Sequence, residues 1–296
     1  MQREPIAPTI AFIGLGVMGF AMAGHLATNG YRVRVYNRSS DKAERWAEQY
    51  AGSVHPTPRA AAQGAEWVFT CVGNDDDLRA VLLGEQGAIA GLADGAVLVD
   101  HSTVSVEVCE QIAAICQQHN VEFIDAPISG GQQGAENGVL TVMCGGSETA
   151  LAKVTAAIDC YARAITHLGP VGSGQRCKMV NQICIAGLLQ GLAEGLNFAQ
   201  RSGLDPAQVV EVISRGAAQS WQMENRAGTM LVDHYDHGFA VDWMVKDLGI
   251  AQAEAARNGS ALPVAATVAN YYRQLQEQGG GRWDTSSLLR LLQADK

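Results

Sequence analysis

A run of apolar residues near the start of the chain ends in three glycines spaced G-x-G-x-x-G. The apolar run covers residues 10–13, and a segment compatible with a helix follows at 20–29. Between a strand and a helix, the first glycine permits a tight turn, the second lets the backbone approach a pyrophosphate, and the third lets the helix pack closely. N–H groups at the start of the helix then bind the phosphates. The pattern predicts a dinucleotide site rather than a plain glycine-rich turn. Its predicted residues are Gly14, Leu15, Gly16, Val17, Met18 and Gly19.

The end of the next predicted strand indicates which cofactor fits this site. Residues 31–36 alternate apolar and polar side chains, as strands do. Asn37 follows, about where an NAD-binding fold carries an acidic residue for the ribose. A carboxylate would repel a 2′-phosphate, whereas Asn37 does not, and Arg38 can bind that phosphate through a forked contact. We expect Asn37, Arg38 and Ser39 to bind NADP(H), with NAD(H) as the alternative. The competing interpretation is a solvated Arg38 and a Ser39 that only caps the next helix.

Size and charge narrow the class of protein. The chain has 296 residues, of which 47% are hydrophobic and 17% charged. This length and apolar content are sufficient for an ordered protein with two hydrophobic cores. A net charge of −9 without a basic stripe argues against nucleic acid as a partner. The seven cysteines include no C-x-x-C pair, which is typical of reduced thiols, and the first eight residues lack a signal-peptide pattern. The longest apolar region, 183–192, is too short and polar to span a membrane. We expect a cytoplasmic protein.

Strand and helix patterns alternate along the first part of the chain and then give way to helices alone. Candidate strands cover 67–72, 96–100, 122–125, 140–144 and 164–168, and helices such as 41–50 and 105–119 separate them. This alternation predicts an α/β fold whose mostly parallel sheet has helices on both faces. After the glycine-rich segment 169–174, helices are predicted at 176–201, 205–215, 219–232, 242–257, 262–278 and 285–292. The second part is therefore predicted to be all-helical.

Four sequence blocks point to a known family. They are FIGLGVMG at 12–19, DAPISGG at 125–131, GQRCKMVNQ at 174–182 and KDLG at 246–249. In these blocks, and in their order, the chain resembles the β-hydroxyacid dehydrogenases, which include 3-hydroxyisobutyrate dehydrogenases, tartronate semialdehyde reductases and glyoxylate/succinic semialdehyde reductases. The resemblance implies a Rossmann-like dinucleotide-binding domain at 1–170, an all-α substrate and dimerisation domain at 171–296, and an active site in the cleft between them.

The resemblance assigns the reaction chemistry to the third block. Lys178 is the general acid–base, which gives a proton to the carbonyl oxygen during reduction and takes the hydroxyl proton in the reverse reaction. A lysine suits this role when burial and neighbours lower its pKa toward the working pH. Asn181 and Gln182 follow at i+3 and i+4 on the same helix face, so either amide can orient the lysine or the substrate.

The resemblance also assigns binding residues in the other blocks. Ser129, Gly130 and Gly131 bind the substrate carboxylate, since glycines there expose backbone N–H groups as an anion site. Thr103 and Lys246 contact the cofactor, and we expect Val72 to do so as well. Val72 precedes Gly73-Asn74 where the family usually has a Leu-Pro pair. The predicted chemistry requires no metal.

Together these observations predict hydride transfer between a nicotinamide cofactor and a small carboxylate-bearing aldehyde, keto acid or 3-hydroxy acid. One alternative is an imine reductase-like enzyme, although those enzymes generally lack the lysine. The other is a non-catalytic scaffold, which would lose the lysine or the cofactor glycines. Gly187, Gly191 and Gly195 lie on one face of the predicted long helix, and each costs about 1 kcal/mol of helix propensity. Close approach of a helix or subunit would compensate, so we expect a homodimer or homotetramer, as in the family.

Overall fold

The protein is described by a computed structural model that covers residues 8–293. It divides into two compact units, Met1–Lys178 and Met179–Lys296, so the division falls within a long helix. The predicted domain boundary between residues 170 and 171 lies in the loop before that helix.

The first unit is built around one large sheet. Its strands are β1 (Thr9–Ile13), β2 (Arg32–Tyr36), β3 (Gly52–Val54), β4 (Trp67–Thr70), β5 (Val97–Asp100), β6 (Glu122–Asp125), β7 (Ile128–Ser129), β8 (Leu140–Gly146) and β9 (Ala162–His167). They are ordered β3-β2-β1-β4-β5-β6-β8-β7, and β9 also pairs with β8. The pairings among β1 to β6 are parallel, whereas β8 is antiparallel to β6 and β7. The order 3-2-1-4-5-6 is that of doubly wound folds, whose ligands bind beyond the carboxyl ends of the strands where the order reverses.

Helices cover both faces of this sheet, as the sequence predicts. They are α1 (Val17–Thr28), α2 (Ser40–Gln49), α3 (Pro58–Ala62), α4 (Asp75–Leu82), α5 (Val106–Gln118), α6 (Gly131–Glu136) and α7 (Glu148–Ile158). Neighbouring residues of a strand point to opposite faces. Phe12 accordingly packs in one core cluster with Trp46, and Ile13 packs in a second cluster with Leu78. Two separate cores therefore fix β1, and with it the turn that follows.

The second unit is helical. The long helix α8 (Ser173–Arg201) continues into it, and it also contains α9 (Pro206–Ile213), α10 (Trp221–Leu231), α11 (Val241–Asn258), α12 (Pro263–Glu277) and α13 (Leu288–Leu291). Its core packs Leu189, Met244 and Tyr272 together. The prediction of an α/β N-terminal part and a helical C-terminal part is confirmed.

The last predicted helix, 285–292, is interrupted in the structure. A 3₁₀ turn at Thr285–Ser287 precedes the short α13. The buried Asp284 carboxylate accepts hydrogen bonds from the backbone N–H and the hydroxyl of Ser286, at 3.0 and 2.6 Å. Side-chain bonds of this kind compete with regular helical bonding, which explains why an uninterrupted helix does not form.

Candidate cofactor and active site

The three glycines predicted to bind a dinucleotide form the turn between β1 and α1, and each meets different surroundings. Gly14 has a φ of +96°, and a side chain there would overlap the carbonyl oxygen of Cys71. A β-carbon at Gly19 would overlap the carbonyl oxygen of Gly14. At Gly16, by contrast, no atom of residues 8–293 beyond its chain neighbours lies within 4 Å of the β-carbon position. The turn thus leaves open space beside the start of α1, where the phosphates of a dinucleotide fit.

Asn37 connects the end of β2 to this turn. Its side-chain oxygen accepts a 2.9 Å hydrogen bond from the backbone N–H of Leu15, and its side-chain nitrogen donates a 3.0 Å bond to the carbonyl of Ser39. An aspartate could accept the first bond but could not donate the second. Asn37 therefore supports the glycine turn with an uncharged group. Ser39 occupies the N-cap position of α2, although its side chain makes no capping bond to the described residues.

Arg38 lies beside the first turn of α4. Its side chain is 86% exposed, and Nη1 is 2.8 Å from Oδ1 of Asp77. The α4 turn is fixed because Asn74 accepts a 2.8 Å hydrogen bond from the Asp77 backbone N–H. Exposed ion pairs contribute about 0–1 kcal/mol, so the contact with Asp77 is easily exchanged for a stronger anion. The sequence did not predict this partner.

Val72 and Thr103 lie beyond the carboxyl ends of the neighbouring strands β4 and β5. The Asp100 carboxylate, fully buried at the end of β5, accepts 2.6 Å bonds from the hydroxyls of Thr70 and Ser102. The Ser102 hydroxyl in turn accepts a 2.8 Å bond from the Val72 backbone N–H. One network therefore fixes the two segments that carry Val72 and Thr103, both predicted cofactor residues.

His101, beside this network, has a structural role. Its Nδ1 lies 2.7 Å from the carbonyl of Ala126, and its Nε2 lies 2.9 Å from the Tyr161 hydroxyl. Nδ1 must carry the proton to bond the carbonyl, so Nε2 accepts from Tyr161. Burial lowers the pKa of His101 to about 4. The imidazole is therefore neutral at neutral pH and ties β5 to neighbouring segments.

Asp125 fixes the start of α8. From the end of β6, its buried carboxylate accepts bonds from the backbone N–H groups of Gly172 and Gln175, at 2.7 and 2.9 Å. Burial raises the pKa of Asp125 to about 7, repulsion from Asp100 adds to the rise, and the two N–H bonds oppose it. A β-carbon at Gly174 would overlap the carbonyl of Met143, so the helix start lies directly against the strand ends. Asp125 is not among the residues predicted to form the site.

The segment predicted to bind the substrate carboxylate follows β7. Ser129 is half-buried at the end of the strand, and Gly130 and Gly131 are exposed. Their φ angles are +131° and +62°, and Gly131 is the first residue of α6. Apart from the adjacent residues and the backbone of α6 itself, no atom of the described chain lies within 4 Å of a β-carbon position at Gly131. Backbone of this kind presents N–H groups in a concave arrangement suited to an anion.

The predicted catalytic residues all lie on α8. Lys178 is 8% exposed, and the side chain of Gln182 is 2% exposed. Asn181 donates a 2.7 Å hydrogen bond to Gln182, whose amide nitrogen donates a 2.6 Å bond to the buried Asp247. The Gln182 amide is thus engaged at both ends.

Lys246 joins the same chain of contacts. Its Nζ lies 3.2 Å from Oδ1 of Asp247 and 5.5 Å from the centre of the Trp243 ring, a cation–π contact. The second unit therefore brings together three predicted residues, Asn181, Gln182 and Lys246, through the carboxylate of Asp247, which is not itself among the predicted site residues.

Residues 8–293 contain no group of three or more His, Cys, Asp or Glu side chains arranged to hold a metal ion. Within that same stretch, none of the helices combines the length and apolar character that a bilayer crossing requires.

The doubly wound sheet and the open glycine turn define a dinucleotide-binding protein. Comparison with known families extends this. Residues 9–169 match the model of the NAD binding domain of 6-phosphogluconate dehydrogenase. Residues 172–292 match the model described as the NAD-binding domain of NADP-dependent 3-hydroxyisobutyrate dehydrogenase.

Individual relatives agree with these matches. The chain is 60% identical over 287 residues to an uncharacterised oxidoreductase of Shewanella frigidimarina, covering 97% of this chain and 99% of the relative. It is 30% identical over 295 residues to the mitochondrial 3-hydroxyisobutyrate dehydrogenase of Mus musculus, covering 97% and 88%. The structure of Mycobacterium tuberculosis 3-hydroxyisobutyrate dehydrogenase with L-serine matches with a TM-score of 0.88 at 27% identity, covering 97% and 99%.

The chain belongs to the β-hydroxyacid dehydrogenase family. It is an NAD(P)-dependent oxidoreductase, and the family acts on CH–OH groups. The predicted family, fold class and enzyme class are therefore confirmed.

Proposed function

We propose that the protein is an NADP(H)-dependent reductase of small carboxylate-bearing aldehydes or keto acids, and that Lys178 is its general acid–base. The observation that carries this proposal is the placement of Lys178 in the first unit. Lys178 is a buried lysine on the first turns of α8, and Asp125 holds the start of that helix at the carboxyl ends of the parallel strands. The open glycine turn after β1 lies at the same edge of the sheet.

Each group has a defined task in this proposal. The bound nicotinamide supplies or accepts the hydride. The Lys178 ammonium donates a proton to the substrate carbonyl oxygen, and in the reverse direction the free amine accepts the hydroxyl proton. N–H groups of Ser129, Gly130 and Gly131 bind the carboxylate. Asn181 and Gln182, whose amides are joined by a 2.7 Å hydrogen bond, are the groups proposed to orient the lysine or the substrate.

The substrate class is proposed from relatives as well as from the anion site. Two relatives are named 3-hydroxyisobutyrate dehydrogenase, and one of them was solved with L-serine. Both compounds carry a hydroxyl on the carbon β to a carboxylate. This shared chemistry, a primary alcohol or aldehyde two bonds from the carbon of a carboxylate, fits a site with one anion pocket and one acid–base.

A substrate panel tests the proposal. NADPH oxidation should be measured with succinic, tartronate and methylmalonate semialdehydes and with glyoxylate, and NADP⁺ reduction with 3-hydroxyisobutyrate and L-serine. We expect turnover of at least one acid, with its methyl ester far slower. Reduction of cyclic imines without turnover of any acid would favour an imine reductase instead. Tight NADPH binding with no turnover of acids or imines would favour a scaffold.

The NADP(H) preference is proposed to depend on Arg38. Arg38→Ala should weaken NADPH binding by about 10- to 100-fold, because charge-assisted hydrogen bonds contribute about 1.5–3 kcal/mol, and should barely change NADH binding. Asp77→Asn removes the present partner of Arg38 and a nearby negative charge, so it should strengthen NADPH binding alone. Fluorescence titration of both cofactors gives the two dissociation constants. Equal losses for NADPH and NADH in Arg38→Ala would rule out contact with the 2′-phosphate.

A second copy of the chain is the proposed partner of the exposed face of α8 and α9. Phe198 is 71% exposed and Val212 is 70% exposed. None of the described residues 206–213 of α9 is buried, and apart from the adjacent residues and the nearby backbone of α8 itself, nothing in residues 8–293 lies within 4 Å of a β-carbon at Gly191 or Gly195. Exposed apolar surface of this kind is typical of protein–protein interaction sites.

Light scattering should therefore show a homodimer or homotetramer. Phe198→Asp should shift it toward the monomer, because a charge would be buried in the interface. Thr149→Asp, at an exposed position of α7, should leave the assembly unchanged and serves as the control. A wild-type monomer at micromolar concentration would contradict the proposal.

A further inference from the structure

We propose that Gln175 is a positioning residue that joins the segment 102–104 to the helical turn carrying Lys178. The inference rests on the proposed role of Lys178 as acid–base. Gln175 lies in the third family block, at 174–182, but it is not among the predicted site residues.

The Gln175 side chain spans two backbone groups of one short segment. It is fully buried, its Nε2 donates a 2.8 Å hydrogen bond to the carbonyl of Ser102, and its Oε1 accepts a 3.2 Å bond from the N–H of Val104. These contacts lie on either side of Thr103, the predicted cofactor residue. The geometry requires one donor and one acceptor on the same flat group, which a glutamine supplies and a glutamate or methionine does not.

The backbone of Gln175 is fixed as firmly as its side chain. Its N–H donates a 2.9 Å bond to the Asp125 carboxylate, and the preceding Gly174 lies against the strand ends. The segment on the other side is fixed too, because the Ser102 hydroxyl bonds both Asp100 and Val72. Gln175 thus links the start of α8 to the segment 102–104 and fixes their relative position.

Lys178 is three residues further along α8, on the same side of the helix as Gln175. A shift of the helix start relative to segment 102–104 would move the Lys178 amine relative to the predicted cofactor residue Thr103. A displacement of about 1 Å between reacting groups can cost about 100-fold in rate. Gln175 should therefore affect cofactor binding and proton transfer together, although it touches neither the substrate nor the cofactor.

The test compares Gln175→Met with Gln190→Met. Both remove a buried amide from α8, but Gln190 lies about 18 Å further along the helix than Lys178. We expect Gln175→Met to lower kcat by about 100-fold, to weaken NADPH binding several-fold and to speed hydrogen exchange at the Val104 amide. Gln190→Met should leave all three near wild type. Gln175→Glu, which keeps the acceptor for Val104 and loses the donor for Ser102, should change them in the same direction as Gln175→Met.

A double-mutant cycle shows whether Gln175 acts through Lys178. In a Lys178→Met background, Gln175→Met should cause little further loss of kcat, because the group it positions is gone. A full second loss would overturn the positioning role. Unchanged Val104 exchange and NADPH affinity in Gln175→Met would overturn the contact itself. An unaffected kcat in Lys178→Met alone would refute the acid–base proposal, whereas Val104 exchange and NADPH affinity would still decide whether Gln175 holds the segment.

Discussion

Lys178→Met should lower kcat by about 10²- to 10⁴-fold, the usual contribution of a positioned general acid, while the protein still folds and binds NADPH. Methionine has nearly the length of lysine, so it should fill the space of a side chain that is only 8% exposed while it removes the ammonium group. Steady-state kinetics with the best acid of the panel and NADPH titration measure the two effects. Lys153→Met, at an exposed position of α7, is the matched control and should be as active as wild type.

A rescue experiment tests whether the amine of Lys178 is the group that transfers the proton. Lys178→Ala removes most of the side chain and leaves space where a small amine can bind. Ethylammonium should then restore part of the rate in proportion to its concentration, whereas the same concentration of potassium chloride should not. Undiminished turnover in Lys178→Ala would show that another group transfers the proton.

Much of the fold could be predicted from local sequence patterns. The period-2 strands and the helices between them predict the parallel sheet, because each pattern reports on burial within a few residues. The surroundings of Gly14 and Gly19 agree with the roles expected of the first and third glycines. The same patterns missed short elements such as β3 and α6, which contain too few residues to show a period.

The contacts that organise the candidate site are of another kind. Arg38 and Asp77 are 39 residues apart in the chain, and Gln175 and Ser102 are 73 apart. No local pattern reports such pairs, since they depend on which strands become neighbours in the sheet. Asp125 did give a local signal, because a carboxylate that ends a buried apolar strand must find hydrogen-bond donors. Its donors, the N–H groups of Gly172 and Gln175, could not be predicted, because they depend on how the start of α8 packs against the sheet.

Two glycine substitutions should separate folding from cofactor binding at the β1–α1 turn. Gly19→Ala should lower the free energy of unfolding by about 1–3 kcal/mol, because its methyl group would overlap the Gly14 carbonyl in a packed turn. Gly16→Ala meets open space in the described chain and should leave that free energy within about 0.5 kcal/mol of wild type. The added methyl would, however, occupy the space assigned to the cofactor phosphates.

Gly16→Ala should therefore weaken NADPH binding by about tenfold or more, equivalent to about 1.4 kcal/mol, while urea denaturation stays near wild type. Gly19→Ala is its matched control, since the same single methyl is added three residues away and the main change should be in urea denaturation. Unaltered NADPH affinity in Gly16→Ala would mean that the phosphates do not lie beside Gly16. The opposite assignment, in which Gly16→Ala unfolds and Gly19→Ala is stable, would contradict the packing of the turn. The two measurements together show whether the open space beside Gly16 exists for the cofactor, because no folding role then remains to explain a glycine there.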